Sequence, residues 1–137
     1  MRFVDTNVLL YAVSTATEEA GKAATARAIL KAADLALSVQ VLQEFYVQAT
    51  RPNRPDALSH EQAGALVEAW LRFPAQETSI ELLRAGVSAA RRYHVSYWDA
   101  TVIEAARLQG CEVLLSEDLS HGQDFDGVRV ENPFLQD

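Results

Sequence analysis

The sequence predicts a single α/β domain of three layers, with helices on both faces of a central parallel sheet of four to five short strands. Short apolar runs alternate with longer segments in which apolar residues recur at helical spacing. Few turn signals suited to β-hairpins separate the runs, so we expect parallel pairing through right-handed crossovers. The chain of 137 residues is 49% hydrophobic and has no low-complexity tract, which suits one compact domain over residues 1–137.

The N-terminal part of the chain predicts two strands and two helices. A buried strand covers Arg2–Val4, and a polar turn over Asp5–Asn7 follows it, because each of these three side chains can cap a helix. A short apolar helix is predicted over Val8–Val13. A longer helix over Glu18–Ala33 begins with the acids that a helix dipole favours. Leu35–Val39 is then predicted to be the second strand.

The middle of the chain is predicted to be mostly helical. Residues 41–50 form a helix that ends at the basic, proline-containing loop 51–55. Ser59 and Gln62 make a capping box, which predicts the start of the next helix. A short strand is predicted over residues 75–77.

The C-terminal part predicts two helices and then two strands. Thr78 with Glu81 forms a second capping-box pattern, for a helix that runs to Tyr93. Ser96 is a good N-cap for a helix that ends near Leu108. The remaining predicted elements are a strand at 112–116, a polar loop at 117–127 and a last strand at 128–130.

Four acidic residues are placed where a parallel sheet presents ligands. Asp5 ends the first apolar run and Asp118 follows the last strong one, so both fall at the carboxyl ends of strands. Glu44 interrupts an otherwise apolar helical pattern. Asp99 is the third residue of the helix capped by Ser96, where the structural alternative is a carboxylate that only reaches back to the cap. Together these acids predict a cluster at one edge of the sheet.

Clustered carboxylates predict a site for a hard cation. Each pair of charges 4 Å apart repels by about 4 kcal/mol at an effective dielectric of about 20, and cations or hydrogen bonds must offset this. Mg²⁺ and Mn²⁺ prefer oxygen ligands and can activate water toward a phosphodiester. Thr6, Asn7 and Ser116 are placed to orient the ligands or waters. No zinc spacing, dinucleotide-binding motif, P-loop or serine-hydrolase elbow is present.

Two features bear on the compartment. The single Cys111 cannot form an internal disulfide, which fits a reducing cytosol. No signal peptide is evident, and the apolar run Val8–Val13 is too short for a membrane span. We therefore expect a cytoplasmic protein without a membrane segment.

The motifs together resemble the PIN domain family, and within it the toxin ribonucleases of VapC type. The resemblance rests on Asp5-Thr6-Asn7 after the first strand, Glu44, Trp98-Asp99-Ala100 at a helix start and Ser116-Glu117-Asp118 after a late strand. It covers the chain from Met1 to about Pro133. It implies a three-layer parallel fold and metal-dependent endonucleolytic cleavage of RNA with Mg²⁺ or Mn²⁺.

The resemblance also implies roles for particular residues. The first three acids of the family fall on Asp5, Glu44 and Asp99, and its last motif falls on Ser116 and Asp118. The adjacent Glu117 can replace or assist Asp118, and Asp124 is a further candidate; this choice stays open. A homodimer and a cognate antitoxin that occupies the active-site groove are also implied. Apolar helix faces that carry Val41, Phe45 and Trp70 are expected to supply the remaining antitoxin contact.

The net charge of −7 and the pI near 4.9 oppose non-specific binding to nucleic acid. Local basic residues are the expected remedy for an RNA substrate. Arg51 and Arg54 follow the helix of Glu44, and Arg91 and Arg92 precede Asp99. Their alternative role is solvated surface.

Two other functions are compatible with these residues. One is a housekeeping PIN nuclease of RNA processing or DNA repair. The other is a non-catalytic PIN-like domain that binds a protein partner. The four acids argue against the non-catalytic alternative, and the short, undecorated chain favours a toxin.

Overall fold

The computed structural model describes residues 1–135, which form one six-stranded sheet with helices between its strands. The strands are β1 (Arg2–Val4), β2 (Leu35–Ser38), β3 (Ala75–Gln76), β4 (Val113–Leu115), β5 (Asp124–Phe125) and β6 (Val128–Glu131). The α-helices are α1 (Thr6–Ala12), α2 (Ala20–Ile29), α3 (Val39–Ala49), α4 (His60–Trp70), α5 (Ile80–Tyr93) and α6 (Tyr97–Leu108). A short 3₁₀ turn, Thr17–Glu19, precedes α2. Within residues 1–135, no helix combines the length and the apolar character that crossing a bilayer requires.

The sheet confirms the predicted α/β fold class and corrects its strand number. The strand order is β3-β2-β1-β4-β6-β5, and every pair is parallel except β5 with β6. The prediction that residues 117–127 form only a loop was wrong, because β5 lies inside that range. A tight turn joins β5 to β6, with positive φ at Asp126 (52°) and Gly127 (98°). Phe125 fixes the pairing by burying its ring edge-on against Tyr93, with centroids 5.0 Å apart.

The order of the strands places the helices in two layers. From β1 the chain steps to β2 and then to β3 in one direction, whereas β4 lies on the other side of β1. Right-handed crossovers therefore put α1 to α4 on one face of the sheet and α5 and α6 on the other. The contacts agree, because α1 touches α2 and α3, α3 touches α4, and α5 touches α6.

Serine side chains set the start of most helices. The Ser38, Ser59 and Ser96 hydroxyls accept backbone N–H bonds at the starts of α3, α4 and α6, and Ser59 with Gln62 forms the predicted capping box. The prediction of Thr78 as the cap of α5 was wrong by one residue. Ser79 is the cap, since its hydroxyl accepts from Leu82 N at 3.1 Å.

The two helices on the second face pack closely because α5 contains a glycine at their crossing. A Cβ on Gly86 would lie 2.7 Å from Thr101 Cγ2 and 3.1 Å from Tyr97 Cε1. Both contact residues belong to α6, the helix that begins beside Asp99. Gly86 therefore sets how near α6 lies to α5.

The core lies between the sheet and both helix layers, and it includes residues predicted to face a partner. Val41 and Phe45 are fully buried, and Trp70 is 5% exposed. The Phe45 and Trp70 rings meet edge-on with centroids 4.7 Å apart. The prediction that these three side chains form an interaction surface was therefore wrong, because the domain uses them to pack α3 against α4.

Candidate active site

The candidate site lies where the direction of strand connection reverses, between β1 and β4. Ligands of open parallel sheets bind at this point, outside the carboxyl ends of the strands. The register pairs Val4 with Leu115, so Asp5 and Ser116 leave the sheet side by side. The Asp5 backbone N–H donates to the Leu115 carbonyl at 3.0 Å, and the Ser116 hydroxyl donates to Asp5 Oδ2 at 2.7 Å.

Asp5 is a buried carboxylate held by directed hydrogen bonds. It is 7% exposed, and its Oδ1 accepts the Thr6 backbone N–H at 2.8 Å. Burial raises the pKa of Asp5 to about 6, against the lowering effect of the bonds from Ser116 and Thr6. The nearby charges of Asp118 and Glu44 raise the pKa further. A nearby cation would favour the ionised form of Asp5.

Glu44 projects from α3 toward the same edge. The Thr6 hydroxyl donates to its Oε2 at 2.8 Å, and Gln40, one turn earlier on α3, donates from Nε2 to its Oε1 at 3.0 Å. Gln40 is itself fixed, because the Thr101 hydroxyl lies 2.7 Å from Gln40 Oε1. Residues from α1, α3 and α6 thus orient one carboxylate.

Asn7 links the two strand ends. Its Nδ2 lies 3.2 Å from Asp118 Oδ2, 3.4 Å from Ser116 Oγ and 3.5 Å from Asp5 Oδ2. Its Oδ1 accepts the Glu117 backbone N–H at 3.2 Å. Asn7 therefore holds the segment after β4 against the start of α1 and keeps Asp118 beside Asp5.

Glu117 is paired, whereas its neighbour Asp118 remains exposed. The Tyr11 hydroxyl donates to Glu117 Oε1 at 2.5 Å, and Lys22 Nζ donates to Glu117 Oε2 at 2.6 Å. Burial acts to raise the pKa of Glu117, but the bonds from Lys22 and Tyr11 outweigh it and hold that pKa below its usual range. Because Lys22 already neutralises Glu117, Asp118 is the better candidate for binding a cation.

Asp99 stands at the start of α6 without a bond from its carboxylate. Its backbone N–H donates to Ser96 Oγ at 3.1 Å. Within residues 1–135, the return bond from the Asp99 carboxylate to the Ser96 N–H is absent, and so is any hydrogen bond to Asp5, Glu44 or Asp118. The side chain is half-buried. The contacts therefore support neither the capping role nor membership of the acidic cluster for this carboxylate.

An acidic cavity of about 290 Å³ opens at this edge. Its lining residues are Thr6, Asn7, Leu10, Tyr11, Glu19, Glu44, Gln48, Arg54, Glu117 and Asp118. Of the four arginines predicted to bind substrate, the structure places Arg54 in this lining and not Arg51, Arg91 or Arg92. Arg92 instead pairs with Asp126 at 2.6 Å. Asp124, the further acid considered, accepts the Gly127 N–H at 2.6 Å in the β5–β6 turn.

A profile of the PIN domain family matches residues 2–123, which is most of the chain. The chain belongs to the PIN domain family. No curated protein sequence matches it significantly.

Solved structures share this PIN fold at low sequence identity. A toxin–antitoxin complex from Klebsiella pneumoniae matches with a TM-score of 0.70 and 21% identity, over 98% of each chain. VapC20 of Mycobacterium tuberculosis, a toxin that cleaves the sarcin-ricin loop, matches with a TM-score of 0.67 and 19% identity, over 86% of this chain and 90% of its own. VapBC2 of Rickettsia felis bound to a promoter DNA fragment matches with a TM-score of 0.64 and 14% identity, over 96% and 97%. At these identities the matches show the fold.

The donor chemistry of the PIN site fits a hard divalent cation. Asp5, Glu44 and Asp118 supply the oxygen ligands that such a cation prefers, and burial, with the charges of Asp118 and Glu44, raises the pKa of Asp5. In the part of the chain that the structure describes, however, no three Asp, Glu, His or Cys side chains are arranged so that they would hold a metal ion. Asn7 stands between Asp5 and Asp118, where its amide satisfies both.

Sequence reasoning missed three residues that shape this PIN site. They are Gln40, which orients Glu44, and Tyr11 and Lys22, which neutralise Glu117. Gln40 had a local signal, since it precedes Glu44 by one helical turn. Tyr11 and Lys22 had none, because their contact with Glu117 joins positions about a hundred residues apart.

Proposed function

We propose that this PIN domain is a metal-dependent endoribonuclease that acts as the toxin of a toxin–antitoxin pair. The observation that carries the proposal is the buried, hydrogen-bonded Asp5 at the reversal point of the sheet, close to Asp118 and Glu44, which line the acidic cavity. Such a site suits hydrolysis of a phosphodiester by activated water.

Asp5, Asp99 and Asp118, with Glu44, are the residues that would hold Mg²⁺ or Mn²⁺. The bound ion would lower the pKa of a water and offset charge on the phosphate. The chain itself orients the ligands: Ser116 and the Thr6 N–H hold Asp5, Asn7 holds Asp118, and Gln40 holds Glu44. Glu117, paired with Lys22, would help to hold the segment after β4 in place rather than bind the ion.

The proposed inhibitor is an antitoxin protein that places an arginine, or less well a lysine, among the catalytic acids. A guanidinium pairs bidentately with carboxylates and would exclude the cation. An apolar groove of about 460 Å³ between α3 and α4 would receive the rest of the antitoxin, since Leu42, Tyr46, Val47, Val67 and Leu71 line it. A homodimer in the cytoplasm is part of the same proposal.

Cleavage of RNA by purified protein tests the proposal. We expect cleavage with Mg²⁺ or Mn²⁺, none in chelator, and none from Asp5→Asn with either metal. Glu117→Gln is the matched control, because it removes an acid from the same cavity that is already neutralised. Full cleavage in chelator by contaminant-free protein would exclude the metal mechanism.

The second candidate is a non-catalytic, protein-binding PIN domain. The observation that favours it is the absence, within residues 1–135, of a preformed group of three metal-binding side chains. Mapping of cleavage sites on total RNA separates the two candidates. A folded protein that leaves every RNA intact in the presence of Mg²⁺ or Mn²⁺ would favour the second.

A further inference from the structure

Among the described residues that line the acidic cavity, Arg54 is the only one with a positively charged side chain. Its side chain is 23% exposed, and its Nε donates to Asp56 Oδ1 at 3.0 Å. Glu19, Glu44, Glu117 and Asp118 line the same cavity. Within residues 1–135 the Arg54 guanidinium forms an ion pair with none of these four acids, and its two Nη groups have no hydrogen-bond partner.

Asp56 holds the guanidinium in this orientation. Its second oxygen, Oδ2, accepts the Thr15 backbone N–H at 3.0 Å, which ties the loop after α3 to the segment after α1. The Thr15 N–H first, and then the Arg54 charge, hold the pKa of Asp56 below its usual range despite partial burial. Asp56 is therefore anionic at neutral pH and anchored from both sides. One edge of the guanidinium is fixed, and the other edge is left free.

We propose that Arg54, positioned by Asp56, is a subsite for a backbone phosphate of single-stranded RNA next to the phosphate that is cleaved. This inference rests on the proposed nuclease function. Two free Nη groups in a rigid plane match the oxygen atoms of a phosphodiester, which a guanidinium binds bidentately. The cleaved phosphate must approach Asp5, with which Arg54 makes no contact, so the Arg54 subsite takes a neighbouring phosphate.

The charge distribution explains why such a subsite is needed. The domain carries a net charge of −7, and four acids line the cavity that the RNA must enter. Lys22 neutralises Glu117, whereas Glu19 accepts the Ser14 hydroxyl at 2.6 Å and has no positively charged partner within residues 1–135. A polyanion is therefore repelled along most of the cavity wall. Arg54 supplies a local attraction for RNA phosphate, whereas the net charge of the domain repels it.

The alternative is that Arg54 and Asp56 only staple the loop to the domain. The two explanations predict opposite signs for Asp56→Asn. If electrostatics alone matter, removal of a negative charge beside the cavity tightens RNA binding. If Asp56 positions Arg54, the same change weakens RNA binding, because the guanidinium loses its orientation.

The test measures the affinity of a fluorescent single-stranded RNA at several salt concentrations. The Asp99→Asn protein serves as background, since the proposed function makes it inactive and the RNA stays intact. We expect Arg54→Gln to raise the dissociation constant about tenfold and to reduce the salt slope by about 0.7, the value for one lost phosphate contact on a single strand. Asp56→Asn should raise the dissociation constant about threefold with the slope unchanged, because the charge of Arg54 remains. Arg54→Lys should restore the slope but only part of the affinity.

Arg2 and Asp34 provide matched controls at the amino ends of β1 and β2, away from the cavity. They form a surface ion pair at 3.2 Å, so Arg2→Gln and Asp34→Asn make the same chemical changes away from the cavity. Neither should alter the salt slope by more than the experimental error, and inorganic phosphate should compete only weakly with the RNA. Thermal melts of all variants confirm that each one is folded.

Failure of the inference and failure of the proposed function give different results. An unchanged slope in Arg54→Gln, or tighter binding in Asp56→Asn, overturns the Arg54 subsite while leaving cleavage by the wild-type protein intact. Absence of cleavage by the wild-type protein overturns the proposed function. Displacement of RNA by equimolar inorganic phosphate would show a general anion site and would also overturn the RNA subsite.

Discussion

Asp5 provides a quantitative test of the acidic site, because its charge is buried. The change to consider is Asp5→Asn in metal-free buffer. Asn keeps an oxygen for the Thr6 N–H and can donate to the Ser116 hydroxyl, so the local hydrogen bonds can largely be remade. What the substitution removes is a negative charge beside Asp118 and Glu44.

The magnitude follows from the pKa of Asp5, which burial raises from 3.8 to about 6. The folded state then holds the proton more tightly than the unfolded state. The free energy of unfolding therefore falls as the pH rises from about 4 to about 6, by roughly 3 kcal/mol at 1.36 kcal/mol per pKa unit. Imperfect replacement of the carboxyl hydrogen bonds by the Asn amide offsets about 1 to 2 kcal/mol of this gain. The net expectation at pH 7.5 is a variant more stable by about 1 to 2 kcal/mol, a rise of roughly 5 °C in Tm.

The assay is denaturant unfolding of wild type and Asp5→Asn in chelator at intervals from pH 4 to pH 8. We expect the stability difference to grow in favour of the variant up to about pH 6 and to stay level above it. Asp34→Asn is a control for which the stability difference should change with pH in the opposite direction, because the Arg2 hydrogen bond lowers the pKa of Asp34. Its wild-type carboxylate stabilises the fold above its unfolded pKa, and that stabilisation is lost as the pH falls.

A stability difference that does not vary between pH 4 and pH 8 would contradict this expectation. It would show that Asp5 titrates alike in the folded and unfolded states, so that neither burial nor the neighbouring acids act on its charge. A variant that is less stable than wild type at pH 7.5 would show that hydrogen bonds to the carboxylate outweigh the repulsion.

Three further predictions concern catalysis, metal binding and packing. Asp99→Asn should abolish RNA cleavage and leave Tm within about 2 °C of wild type. Activity near that of wild type would show that Asp99 only helps to start α6 and takes no part in catalysis. Mg²⁺ at a hundred times its Kd should stabilise the wild-type protein by about 2.7 kcal/mol in thermal unfolding. The Glu117→Gln variant should retain this stabilisation, whereas Asp118→Asn should lose most of it. Equal losses in both variants would contradict the assignment of Asp118. Gly86→Ala should destabilise the fold by about 1 to 3 kcal/mol in denaturant unfolding, because the new Cβ would meet Thr101 Cγ2 at 2.7 Å; an unchanged midpoint would show that α6 shifts freely.

The architecture was largely predictable because its elements carry local signals. Ser96 fixed the start of α6, and the Ser59 capping box fixed the start of α4. Alternation of strands and helices then required parallel pairing, which the structure shows for every strand but β5. These predictions depend on neighbours within a few residues, where the physical chemistry of capping and periodicity operates.

The errors in the fold have two distinct causes. The β5 strand has only two residues and lies in a polar segment, yet Asp126-Gly127 between Phe125 and Val128 is a strong hairpin signal. The cap of α5 was not decidable locally, since Thr78 and Ser79 are adjacent and both can cap. Burial of Leu82, which is 2% exposed, sets the rotation of the helix and thereby selects Ser79.

In the site too, some features follow from neighbouring residues in the sequence, and others depend on contacts across the fold. The proximity of Asp5 and Asp118 was predictable because parallel strands end at one edge, but Glu117 and Asp118 are adjacent acids that the sequence does not distinguish. The choice between them depends on Lys22 of α2, which bonds to Glu117 at 2.6 Å across the fold. A carboxylate already neutralised by an ammonium group gains little from a cation, whereas an exposed one beside a buried acid gains much. The electrostatic environment supplied by α2, rather than the order of residues after β4, therefore makes Asp118 the better candidate for binding a cation.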